Sequence, residues 1–80
     1  MTDVKIFIVE DNQLYLNVIE RYLLDLGCEN IHKFTSGEAC IDNLFLKPEI
    51  IFLDYYMENL NGLEVLYKIK RFDPNVFAVG

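Results

Sequence analysis

Two short apolar runs in this chain end in acid. Ile6-Phe7-Ile8-Val9 runs into Glu10-Asp11, and Ile50-Ile51-Phe52-Leu53 runs into Asp54. Both are rich in β-branched and aromatic residues and both are followed by helical periodicity, so they read as buried parallel strands with carboxylates at their C-terminal ends. Open α/β sheets bind ligands in the crevice at that end. Three acids gathered there repel one another. Two unit charges about 4 Å apart interact by roughly 4 kcal/mol at an effective dielectric near 20. A divalent cation offsets such repulsion, and Asp54 stands alone after its strand as the acid with no simpler duty.

The rest of the chain must position these acids. The first strand is expected from Val4 to Val9, and Asp11 or Asn12 can cap the helix that follows. In that helix Tyr15, Val18, Ile19, Tyr22, Leu23 and Leu26 recur at spacings of three and four, predicting a wide buried stripe, with Tyr15 and Tyr22 in the core or at its rim. Gly27 sits where a helix stop belongs. Asn30 to Phe34 reads as a short strand of mixed polarity, at a sheet edge. Thr35 or Ser36 caps a second helix with Ala39, Ile41, Leu44 and Phe45 turned inward, and Lys47-Pro48 ends it. A strand over Glu49 to Leu53 follows, then a loop from Asp54 to Asn61. Gly62 opens a third helix carrying Leu63, Val65, Leu66, Ile69 and Phe72, and Val76 to Val79 begins a fourth strand after the Asp73-Pro74-Asn75 turn. The order β-α-β-α-β-α-β implies a mostly parallel α/β sheet.

Composition narrows the classes. Eighty residues, 52% apolar and 25% charged, make one small domain of ordinary globular character. No apolar run approaches the length of a membrane span, and no N-terminal stretch reads as a signal peptide, so a cytoplasmic setting is expected. A net charge of −6 argues against a nucleic-acid surface on this segment. Lys68, Lys70 and Arg71 suit the C-terminal end of a helix dipole, and Glu64 and Lys68 have the spacing of a surface ion pair. Cys28 and Cys40 lack metal-type spacing and read as reduced thiols, and His32 reads as a solvated surface histidine.

Val9-Glu10-Asp11-Asn12 after the first strand, Phe52-Leu53-Asp54-Tyr55-Tyr56-Met57 after the third, and Gly62 eight residues past Asp54 together resemble a response-regulator receiver domain, of the kind found in chemotaxis regulators. The resemblance extends over all 80 residues as one domain. It implies a flavodoxin-like sheet of strand order 2-1-3-4, with the fifth strand and last two helices absent. It implies that Asp54 accepts a phosphoryl group from a sensor histidine kinase or phosphotransfer protein with Mg²⁺ as cofactor. Asp11 aligns with the direct metal ligand, Glu10 with the acid that acts through a metal-bound water, and the Tyr56 backbone carbonyl with the third protein ligand. Mg²⁺ chemistry agrees, since that ion takes hard oxygen ligands and keeps several waters. Such a domain signals; it is not an enzyme in the usual sense, although self-phosphorylation from a small donor belongs to its chemistry.

The chain departs from the family pattern in three ways. Glu58 stands where proline is common, Tyr55 and Tyr56 are bulky, and the chain stops near the end of the fourth strand, short of the family's later Ser/Thr and Lys. It therefore reads as a fragment truncated after that strand, whose apolar edge is expected to pair with a second copy. The alternative reading is a degenerate or truncated receiver serving only as a protein-interaction module. A flavin-binding protein of similar fold would need a phosphate-cradling loop where Glu10-Asp11-Asn12-Gln13 stands. A haloacid-type phosphatase would need an acid where Tyr56 stands.

Overall fold

The strands form where β-branched and aromatic residues run together, and the first two helices begin where a short polar side chain takes their first amides. The computed structural model describes residues 3–54 and 62–80. Its elements are β1 (Ile6–Val9), α1 (Gln13–Asp25), β2 (Ile31–Phe34), α2 (Gly37–Asp42), a 3-10 turn at Leu44–Leu46, β3 (Ile50–Leu53), α3 (Gly62–Phe72) and β4 (Phe77–Val79). The sheet has the expected order β2-β1-β3-β4 with every pair parallel. In register, Val9 stands beside Leu53 and Phe34, so the chain leaves β1 and β3 at the same level. That shared level brings the acids after both strands to one end.

Alternation along the strands sends side chains to two cores. Phe7, Val9, Ile51 and Leu53 pack with Cys40 and Leu44 and with Val65 and Ile69 of α3. Ile6 and Ile8 pack on the other face with Leu16 and Leu23 of α1, with Ile19, Ile50 and Phe52 half-buried around them. Burial pushes the Cys40 thiol up to about 12, and both cysteines are free. A thiol so placed is an inert packing group.

The caps are specific. Asn12, not Asp11, caps α1: its Oδ1 accepts from the amides of Leu14 (2.9 Å) and Tyr15 (3.2 Å). Ser36 caps α2 through a 3.1 Å bond from the Ala39 amide. Helix α1 ends in a Schellman motif, with Cys28 N–H donating to Leu23 O and Gly27 N–H to Leu24 O, both at 3.0 Å. Gly27 takes a φ of 93°, which a side chain would oppose.

The structure corrects several helix faces. Leu16, Ile19 and Leu23 form the seam of α1 against the sheet, whereas Tyr15, Val18, Tyr22 and Leu26 are exposed. One helix lying on a sheet buries one narrow stripe, and among the described residues α2 and α3 pack on the opposite face. Phe45 is exposed because α2 tightens into the 3-10 turn, which changes the phase of the side chains; Cys40 takes the inward place. On α3 only Val65 and Ile69 of the apolar set are fully buried, with Leu63 and Phe72 outside. Glu64 and Lys68 do not pair; the ion pairs among the described residues are Arg21–Asp25 and Lys33–Glu20. His32 is half-buried rather than solvated, set edge-on against Phe7 with Nε2 3.1 Å from Asn30 Oδ1.

Candidate functional site

Glu10, Asp11 and Asp54 meet at the C-terminal end of the two central strands. One carboxylate oxygen from each lies within 4.8 Å of the others. The backbone fixes this meeting. Glu10 N–H donates to Phe34 O of β2 at 3.0 Å and Asp54 N–H to Val9 O of β1 at 3.0 Å, so both acids stand on the last rungs of the ladder.

The three acids occupy different surroundings. Glu10 is 7% exposed and is the one buried charged residue among the described residues; Asp54 is half-buried and Asp11 exposed. Glu10 is also tethered, because its Oε2 accepts from the Asn12 amide at 3.1 Å. Asn12 therefore holds the site twice, through its amide on Glu10 and its side chain on the first turn of α1. The sequence marks Asn12 as a cap but carries no signal for the amide contact, which depends on how tightly the chain turns after β1.

Burial pushes the Glu10 carboxyl above its usual value of 4.5; the Asn12 amide opposes this, and the nearby Asp54 and Asp11 charges add to the rise. An acid with a raised value in the fold binds more protons folded than unfolded between the two values. This group therefore makes the metal-free fold more stable as pH falls toward 4.5 and less stable as pH rises through the raised value. Glu10→Gln should flatten that part of the stability–pH curve, as urea melts at a series of pH values will show. A curve unchanged by the substitution would mean that Glu10 is not the group under strain.

A hollow of about 270 Å³ opens beside the acids, with Glu10 and Asp54 on one side and Ile19, Phe52 and Val79 on the other. Ile19 and Phe52 were expected only as packing groups, and their place on its wall follows from the register of α1 on the sheet. The acid set fits Mg²⁺. Mg²⁺ takes hard oxygen ligands and keeps several waters, and these carboxylates supply such oxygens within 4.8 Å of one another. Tyr56, and Tyr55 and Glu58 with it, lie outside the described residues.

In a parallel α/β sheet, an acid triad beside an open hollow at the carboxyl end of the strands stands where this class of protein binds its ligands. The family follows from comparison. The model of the response regulator receiver domain matches residues 6–79, and the chain belongs to that family. It is 31% identical over 78 residues to the response regulator GacA of Pseudomonas aeruginosa, covering 95% of this chain and 36% of that protein. It is 38% identical over 76 residues to the osmosensing histidine protein kinase SLN1 of Saccharomyces cerevisiae, covering 88% of this chain and 6% of that protein. Among solved structures, the N-terminal domain of a response regulator receiver protein from Methanoculleus marisnigri superimposes with a TM-score of 0.76 at 32% identity, covering 90% of this chain and 58% of that one. The chain thus spans about a third of the length of its GacA relative. No helix among the described residues is long and apolar enough to cross a membrane.

Proposed function

We propose that Asp54 accepts a phosphoryl group in a two-component phosphorelay, within one receiver unit comprising these residues and in a cytoplasmic setting. The observation that carries this reading is the convergence of Asp54 with Glu10 and Asp11, beside a hollow that Glu10 and Asp54 help to line. By the family resemblance Asp11 would hold Mg²⁺ directly, Glu10 would act through a metal-bound water and the Tyr56 carbonyl would be the third protein ligand, the last lying outside the described residues. When bound, the cation neutralises the carboxylates and the incoming phosphate, which would otherwise repel each other.

An Asp54 carboxylate oxygen attacks phosphorus, the bond from phosphorus to the donor's imidazole nitrogen breaks, the electron pair goes to that nitrogen, and a proton from solvent water completes the leaving imidazole. The product is an acyl phosphate on Asp54. The Asn12 amide fixes the Glu10 carboxylate at 3.1 Å, and would so orient it for a cation bound among the three acids. The donor is a sensor histidine kinase or a phosphotransfer protein, and likeness to a stretch of a histidine protein kinase supports that choice. Its docking surface is the outer stripe of α1, where Leu14, Tyr15 and Val18 are exposed one turn beyond Asp11.

Acetyl phosphate with Mg²⁺ tests the acceptor. Borohydride reduction followed by peptide mapping should locate an acyl phosphate at Asp54. An adduct that maps to His32 or to a hydroxyl would overturn the assignment.

The outer edge of β4 gives a second, separable expectation. Among the described residues β4 is the last strand of the order, Phe77 is 64% exposed, and Ile50 and Phe52 are half-buried on the α1 face. An apolar strand edge is a template for a second chain. The 80-residue chain pairs with another copy along β4, and sedimentation at low micromolar concentration should show dimer. A stable, folded monomer there would remove this part of the account.

A further inference from the structure

We propose that the groove between α2 and α3 docks an acidic amphipathic helix of a partner protein. The groove is open and encloses about 410 Å³, with Ile41, Leu44 and Phe72 as apolar lining and Tyr67, Lys68 and Arg71 along the α3 side. It adjoins neither the acids nor their hollow, because in a βα unit each helix runs back against its strand and the late residues of α2 and α3 lie at the far end of the sheet. Tyr67 is 61% exposed and Phe72 52%. Phe45, next to the lining residue Leu44 in the 3-10 turn, is also exposed.

Charge selects the occupant. The chain holds 13 acidic residues against 7 basic ones, yet both ionic residues of the groove are cations. Among the described residues the ion pairs engage Arg21 and Lys33, and neither Lys68 nor Arg71 meets a carboxylate. Arg71 is instead held against its own helix. Its Nη1 donates to Tyr67 Oη at 3.1 Å and its guanidinium lies 5.7 Å from the Tyr67 ring centroid. The two side chains form a pre-set wall with guanidinium N–H groups left over for a carboxylate.

An amphipathic helix laid in such a groove sets apolar side chains at i, i+3 or i+4 and i+7 against the lining. Glu or Asp on its flank then meets Lys68 and Arg71. Two cations on a chain of net charge −6 are too few for a nucleic-acid track. A groove this open lacks the convergent polar groups that fix a small ligand.

The test uses an isotope-labelled 80-residue chain and a pair of synthetic helical peptides. One carries leucines at i, i+4 and i+7 flanked by glutamates, and its mate has lysine at every glutamate. The acidic peptide should shift amide resonances of Ile41, Leu44, Tyr67 and Phe72. The double variant Lys68→Glu, Arg71→Glu, with both sites exposed and its melting curve checked against wild type, should weaken the acidic peptide by at least about tenfold and strengthen the basic one. Equal binding of both peptides, no binding at millimolar peptide, or shifts mapping to α1 or β4 would overturn the proposal. Concentration-dependent shifts at the groove without peptide would also overturn it, since they would make a second copy the occupant.

Discussion

Asp54→Asn should raise the melting temperature of the metal-free chain while lowering its affinity for Mg²⁺. The two effects have one origin. Asp54 shares a space within 4.8 Å with two other carboxylates, one of them buried. At that spacing a pair repels by roughly 3 kcal/mol at an effective dielectric near 20, and the partial exposure of Asp54 reduces what is recovered to about 1 kcal/mol. In a domain of this size that amounts to about 4–8 °C. Loss of a ligand charge should weaken Mg²⁺ by about tenfold or more, equivalent to 1.4 kcal/mol or more. Asp11→Asn should act in the same two directions with a smaller rise in melting temperature, because Asp11 is exposed. Thermal melts with and without Mg²⁺ measure both quantities. If both variants are destabilised by more than about 1 kcal/mol, the acids stabilise the fold rather than strain it and the electrostatic account is wrong.

Phe7→Ala should cost about 3–5 kcal/mol, a large share of the stability of the fold. Phe7 is fully buried on the central strand, edge-on to Phe34 at a centroid distance of 4.7 Å and to His32 at 5.6 Å. At about 0.05–0.15 kcal/mol per residue, a chain this short has roughly 4–12 kcal/mol in total. Urea melts of the variant should show a population already largely unfolded or a midpoint displaced far to low denaturant. Phe77→Ala on exposed β4 should change monomer stability by no more than about 0.5 kcal/mol. Comparable losses in the two variants would mean that the two-layer core is misassigned.

The strands and the acids were legible for the same reason. Each apolar run is short, rich in β-branched residues and closed by an acid or a turn signal, so where it ends is where its carboxylate stands. Gly27 and Ser36 likewise carry their roles in their side chains or lack of one. The buried face of α1 was not legible. Leu16-Ile19-Leu23 and Tyr15-Val18-Tyr22 both repeat at three and four and differ by one residue, a rotation of about 100°. Only contact with Ile6 and Ile8 decides between them.

Phe45 failed for a related reason, since helical spacing was carried through a point where the helix changes pitch at Leu44–Leu46. The pairing of Glu64 with Lys68 failed because spacing permits an exposed pair without enforcing one. His32 drew a surface reading from its polar neighbours, yet its position opposite Phe7 in the β1–β2 register half-buries it. The grip of the Asn12 amide on Glu10 is a property of backbone path, which residue types do not encode.

The most direct test of Asp54 as a metal-assisted phosphoryl acceptor is the intact mass of the chain after acetyl phosphate, with Mg²⁺ and with chelator, in wild type and in Asp54→Asn. The account predicts a single phosphoryl adduct in wild type that requires Mg²⁺ and is absent from the variant. An adduct of equal yield in Asp54→Asn, or one in wild type indifferent to the chelator, would contradict it.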